Sequence, residues 1–137
     1  MTDFATDSLL DLHPPRIFQI DGNLGGTAAV LEMLLQSYHE ELHFLPALPP
    51  AWPRGRVKGL CARGGYTVAL TWANGALQTA TVVARTDREC TVLEPDVEFA
   101  VKDSHGNPVV AERDGGRIRF DVRAGEVVTL TPAATAR

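Results

Sequence analysis

Apolar and polar positions follow one period in the first third of the chain and another after it. From Leu24 to about His39 the apolar residues Leu24, Ala28, Leu31, Leu35 and Tyr38 recur at helical spacing. Val30, Met33 and Leu34 widen that face, and only a stripe through Glu32, Gln36 and Glu40 is clearly polar. A helix this apolar around its girth needs partners on more than one side. The stretch Pro46-Ala47-Leu48-Pro49-Pro50-Ala51-Trp52-Pro53 cannot continue it, because four prolines fix φ and remove backbone donors. It predicts a stiff, extended junction, with Trp52 packed against the β region; a Trp that stacks on a sugar is the sharper alternative.

From Val57 onward the period becomes two. Tyr66, Val68, Leu70 and Trp72 alternate with Thr67, Ala69 and Thr71, the pattern of a half-buried strand. Asn74-Gly75 marks a tight hairpin, since both central residues of that turn need positive φ. Leu77 to Arg85 returns, and further strands are expected at Glu89–Leu93, Val97–Val101, Pro108–Arg113, Arg117–Val122 and Val127–Thr131. Turn signals separate them at Glu94-Pro95-Asp96, Ser104 to Asn107, Asp114 to Gly116 and Ala124-Gly125. The fold expected is mainly β with an N-terminal helical piece: one long helix, then an antiparallel β-sandwich. The last residues, after Thr131, read as a flexible tail.

The segment before the helix carries the candidate chemistry. Phe18-Gln19-Ile20-Asp21-Gly22-Asn23-Leu24-Gly25-Gly26 reads as an apolar run followed by a polar loop with three glycines. It superficially suggests a phosphate cradle. The glycines, however, read G-x-x-G-G rather than G-x-G-x-x-G, and no Lys-Ser/Thr follows. The ordinary reading of Asp21 is a helix-entry residue, because short acidic side chains accept backbone N–H bonds there. The functional reading is that Asp21 and Asn23 position a water or a sugar hydroxyl.

A set of blocks in one order resembles glycoside hydrolase family 95, the inverting α-L-fucosidases. The blocks are His13-Pro14-Pro15, Phe18 to Gly25, Glu32 to Ser37, Phe44 to Pro49, Ala51-Trp52-Pro53, Val57 to Leu60 and Ala62 to Tyr66. The resemblance covers roughly residues 8 to 85. It implies that residues 1–47 end a helical (α/α)6 catalytic domain, of which the helix is a remnant, and that residues 48–137 form the β domain after it. Inverting hydrolysis needs an acid for the leaving oxygen and a base for the attacking water. The resemblance implies an upstream Glu as the acid and a water held by asparagines, polarised by the Asp of the Gln-Ile-Asp-Gly-Asn motif. That Asp is Asp21; Gln19 and Asn23 would shape the substrate pocket, and His13 would line the cleft. No part of this chain matches the segments that supply the acid or the water-holding asparagines. The expectation is a portion of an α-L-fucosidase, inactive alone, acting on a fucosylated glycan once joined to the remainder of the catalytic domain. The alternative is a non-catalytic carbohydrate-binding or interaction module. On the first reading the apolar helix leads to self-association.

Composition removes other classes. At 137 residues the chain is one domain, or a small domain with a piece of another, and its net charge of −4 is mild. The acidic excess precedes Val57, and nothing basic suggests nucleic acid or an anionic membrane. Cys61 and Cys90 are the only cysteines and fit no zinc spacing; a single bridge is possible, though two buried thiols fit better. No metal or other cofactor is expected. No secretory signal or bilayer-length apolar run is read, and the location of the parent protein stays open.

Overall fold

A computed structural model describes residues 12–13, 17–94 and 97–133. They divide into two compact units, Met1–Glu32 and Met33–Arg137. The first holds a two-stranded hairpin of β1 (Leu12–His13) and β2 (Ile17–Phe18) and most of the helix α1 (Ile20–Leu34).

The helix differs from its expected span. It begins four residues earlier, takes in Asp21-Gly22-Asn23, and stops at Leu34 rather than near His39. The Asn23 amide N–H bonds the Gln19 carbonyl at 3.2 Å, so Gln19 supplies the first helical acceptor and the expected loop is the first turn. Asp21 in that turn is favoured by the positive end of the helix dipole. Beyond Leu34 the chain turns into β3 (Leu35–Gln36), a short 3-10 turn at Tyr38–Glu40, and β4 (Glu41–Phe44). The apolar pair Leu42 and Phe44 is buried in strand phase, which ends the helical period.

The second unit is a sandwich of two five-stranded sheets. One runs β10 (Ala111–Asp114), β11 (Arg117–Val122), β8 (Arg88–Leu93), β4, β3. The other runs β5 (Arg54–Ala62), β6 (Tyr66–Ala73), β7 (Ala76–Ala84), β12 (Val127–Pro132), β9 (Phe99–Lys102). The named strands pair antiparallel with one exception: β4, antiparallel to β3, lies parallel to β8. The inward residues alternate as the sequence implies: Val68, Leu70 and Val82 from one sheet meet Val92, Ile118 and Phe120 from the other. Asn74 and Gly75 sit at φ 54° and 72°, the conformation their hairpin requires.

The junction behaves as its prolines dictate. Residues 45–53 form no strand or helix, and Trp52 is half-buried against the core. Its carbonyl accepts the Trp72 indole N–H at 2.9 Å, so it serves packing. The cysteines correct one expectation: neither forms a bridge, and Cys61 is exposed while Cys90 is buried. Cys61 sits on the solvent phase of β5, whose alternation is broken by a bulge. The turn Glu94-Pro95-Asp96 and the tail lie partly outside the described residues, as do Asp3, Asp7 and Asp11.

The β3–β4 turn is strained. His39 and Glu40 both adopt left-handed backbone, at φ 55° and 63°, where a Cβ is disfavoured. Replacing Glu40 with glycine should therefore stabilise the chain by about 0.5–1 kcal/mol, read as a higher urea midpoint at unchanged slope.

Candidate functional site

The four residues singled out in the sequence lie within the first unit. Asp21 is the second residue of α1; its side chain is exposed and is bonded by no backbone amide among the described residues. Gln19 precedes the helix and is half-buried. Asn23 is half-buried too, and its side-chain amide donates to the Gln19 carbonyl, which already receives the Asn23 backbone N–H. Thr27 in turn donates its hydroxyl to the Asn23 carbonyl at 3.0 Å. The local bonding thus fixes Gln19 and Asn23 against each other and leaves the Asp21 carboxylate pointing out. His13 lies on β1 opposite Ile17, which brings its backbone beside the strand leading into Gln19; its side chain lies outside the described residues. Glu32, farther along α1, has a buried carboxylate oxygen with no hydrogen-bond partner among the described residues.

The helix carrying these groups keeps its apolar residues in solvent. Ile20, Leu24, Val30 and Leu31 are each more than two-fifths exposed, and the only helical residue in the core is Leu34. A Cβ added at Gly25 or Gly26 would meet nothing within 4 Å.

The β unit holds its own candidate groups. A cleft of about 490 Å³ is lined by Phe44, Leu45, Leu77, Gln78, Phe99 and Thr131 among others. Among the described residues none of its lining side chains ionises near neutral pH, so these offer a binding surface rather than a general acid or base. Two ionic clusters are structural. The Glu94 carboxylate is buried, accepts the Phe99 N–H and faces Arg113 Nε at 3.3 Å; Arg113 also donates to the Phe99 carbonyl. Arg88 bonds the Gly64 carbonyl and lies 4.9 Å from the Tyr66 ring, while the Tyr66 hydroxyl donates to the Glu89 carbonyl at 2.6 Å. Glu94 was legible in part, for Cys90, Val92 and Glu94 share the inward phase. Arg88 shares that phase, but nothing in the chain pointed to the Gly64 carbonyl or the Tyr66 ring as its partners.

Burial pushes the Tyr66 hydroxyl up to about 12, with the Cys90 thiol beside it adding to the rise. Burial likewise pushes the Cys90 thiol up to about 12. Both groups hold their protons more tightly folded than unfolded. The native state therefore binds more protons through the alkaline range, and stability falls as pH rises from about 9 to 12. Urea midpoints should be flat to about pH 8.5 and drop beyond it, and Cys90→Ala should flatten part of that drop relative to its own value at pH 7. A midpoint independent of pH up to 11 would contradict the burial of these groups.

Among the described residues no group of three or more His, Cys, Asp or Glu side chains could hold a metal ion. No helix of the described residues is long and apolar enough to cross a membrane.

Comparison with known proteins places this architecture. The family model for the C-terminal domain of glycoside hydrolase family 95 matches residues 36–130, which span nearly all of the β unit. "Alpha-L-fucosidase 2" of Arabidopsis thaliana is 54% identical over 71 residues, covering 51% of this chain and 8% of that protein. "Probable alpha-fucosidase A" of Aspergillus oryzae is 43% identical over 74 residues, 47% of this chain and 10% of that protein. The Aspergillus niger protein of the same name is 36% identical over 70 residues, 43% of this chain and 9% of that protein. The chain thus spans no more than 10% of the length of these curated relatives.

Proposed function

The chain belongs to glycoside hydrolase family 95, and from that membership we propose that it is the C-terminal portion of an enzyme that hydrolyses α-L-fucosyl linkages in a glycan with inversion. The observation that carries the reading is the 54% identity to a protein named for that activity, alongside the family match over residues 36–130. The N-terminal piece is the end of the helical catalytic domain, and the sandwich is the β domain that comes after it. Three features support the division. The helix leaves Ile20, Leu24 and Leu31 in solvent, a buried Glu32 oxygen lacks a partner among the described residues, and Gly25 and Gly26 leave room for close approach of another backbone.

In this proposal Asp21 accepts hydrogen bonds from an asparagine amide and so makes that amide's oxygen a better acceptor for the attacking water's proton. Gln19 and Asn23, held to each other through the Gln19 carbonyl, shape the pocket beside it. His13 lines the cleft. The acid and the water-holding amides come from chain outside these residues, and loss of members of a cooperating set removes nearly all of the rate.

The test has two arms. The purified chain should release no nitrophenol from an aryl α-L-fucoside, and it should run on size exclusion as a dimer or larger species joined through the apolar helix. Fused to, or co-expressed with, the preceding helical segments of a family member, it should restore turnover. Robust turnover by the contaminant-free chain alone would overturn the fragment reading. Failure of every complete assembly to act on fucosides would overturn the substrate.

A further inference from the structure

The outer face of β5, β6 and β7 carries a hollow that the fucosidase reading does not use. About 320 Å³ in volume, it is lined by Arg56 and Lys58 from β5, Ala69 and Thr71 from β6, and Thr79 and Thr81 from β7, together with the backbone-flanking Val57 and Leu70. Its shape arises from local structure. Arg56 pairs with Thr71, Thr71 with Thr79, and Ala69 with Thr81, so hydroxyls and cations stand side by side at cross-strand distance, about 5 Å between Cβ atoms. Ala69, the smallest of them, leaves room between the longer side chains.

A β-bulge completes it. Val57 pairs with Leu70 and Leu60 with Val68, so Lys58 and Gly59 together oppose the single residue Ala69. Gly59 sits at φ 79°, a conformation that favours a residue without a Cβ, and a bulge of this kind re-aims the side chain beside it. Here that side chain is Lys58, opposite the small residue Ala69. Neither Arg56 nor Lys58 forms a salt bridge among the described residues, although the chain as a whole is acidic.

We propose that this hollow is an oxyanion subsite for an acidic saccharide, in which Arg56 and Lys58 hold a carboxylate or sulfate group and the threonine hydroxyls bond the sugar around it. Cations supply charge-assisted bonds to the oxyanion, and hydroxyls suit a ligand rich in its own hydroxyls. The saccharide identity of the ligand rests on the proposed function; the oxyanion does not. Such a site would hold a charged glycan on the β domain while the neutral fucosyl end is processed elsewhere.

Titration calorimetry on the full 137-residue chain tests it, with inorganic sulfate, a sulfated oligosaccharide, an oligogalacturonate and a neutral oligosaccharide of equal length as probes. At least one acidic saccharide should bind with submillimolar Kd, more tightly than inorganic sulfate, and the neutral one should not bind. The double variant Arg56→Gln, Lys58→Gln should weaken binding at least tenfold. Thr71→Val, which keeps every charge, should weaken it severalfold. Arg85→Gln with Arg123→Gln removes the same charge from exposed positions outside the hollow and should change Kd less than twofold. Equal losses in the two double variants would reduce the effect to general attraction and overturn the subsite. So would sulfate alone binding as tightly as any saccharide, or no acidic saccharide binding at all. No fucoside turnover enters the measurement, so its failure leaves the proposed function to its own complementation test.

Discussion

Gly55→Ala should destabilise the chain by about 3 kcal/mol, a loss large enough to lower Tm by roughly 10 °C. Gly55 pairs directly with Trp72 across β5 and β6. A Cβ there would lie 2.2 Å from Trp72 Cζ2 and 2.7 Å from Cε2 and Cη2, inside the indole itself. The ring cannot swing clear without cost. It is buried, and its N–H is bonded to the Trp52 carbonyl at 2.9 Å. That bond anchors the proline junction, whose Pro53 carbonyl also accepts the Gly75 N–H at 2.9 Å. Displacing one ring therefore disturbs the junction and the β6–β7 hairpin together. Gly26→Ala is the internal control: nothing lies within 4 Å of the added methyl, and alanine in a helix is favoured over glycine by up to about 1 kcal/mol. Urea denaturation of the two variants should move the midpoint in opposite directions. If Gly55→Ala is silent, the stacking of Trp72 over its backbone is wrong.

The same pair shows what could and could not be read from the chain. Trp72 was legible, because Tyr66, Val68, Leu70 and Trp72 keep strict alternation and all four are buried. Its partner strand was legible only from Val57, since Arg54-Gly55-Arg56-Val57-Lys58-Gly59 has no alternating apolar set and Val57 is its one strong strand former. Gly55 is there for the indole and Gly59 for the bulge, and each reason lies on another element or in a φ value. Likewise β4 offers only Leu42 and Phe44, and its parallel pairing with β8 joins residues some fifty positions apart that no local pattern links. The helix start was misplaced for a related reason: glycines argue for a loop, yet Gly22, Gly25 and Gly26 lie within α1. Those glycines cost helix stability here, and on the proposed reading packing against the rest of the catalytic domain would offset that cost. The role proposed for Asp21 was suggested by resemblance alone, because no period or spacing among these residues points to the partners that role needs.

The proposed function sets the second large effect. In an assembly completed with the upstream helical segments, Asp21→Asn should lower kcat on an aryl α-L-fucoside by about 10³-fold with KM changed little, the pattern of an interaction realised in the transition state. Asparagine keeps the shape and removes the charge that, in the proposed role, would polarise the water-holding amide. The competing role, a helix-entry residue, predicts something different. Asp21 is exposed in the first turn of α1, where loss of its charge costs a few tenths of a kcal/mol to about 1 kcal/mol and leaves the rate intact. Stability and rate therefore separate the two. Measured on the isolated chain, Asp21→Asn should cost only the few tenths of a kcal/mol of the exposed dipole interaction, since no described backbone amide depends on the carboxylate. Measured on the assembly, turnover should collapse, while Thr27→Val, which removes only a neighbouring hydroxyl bond to the Asn23 carbonyl, should retain most of it. A variant that melts early but turns over normally would make Asp21 a structural residue and move the search for the water's base to other chain segments.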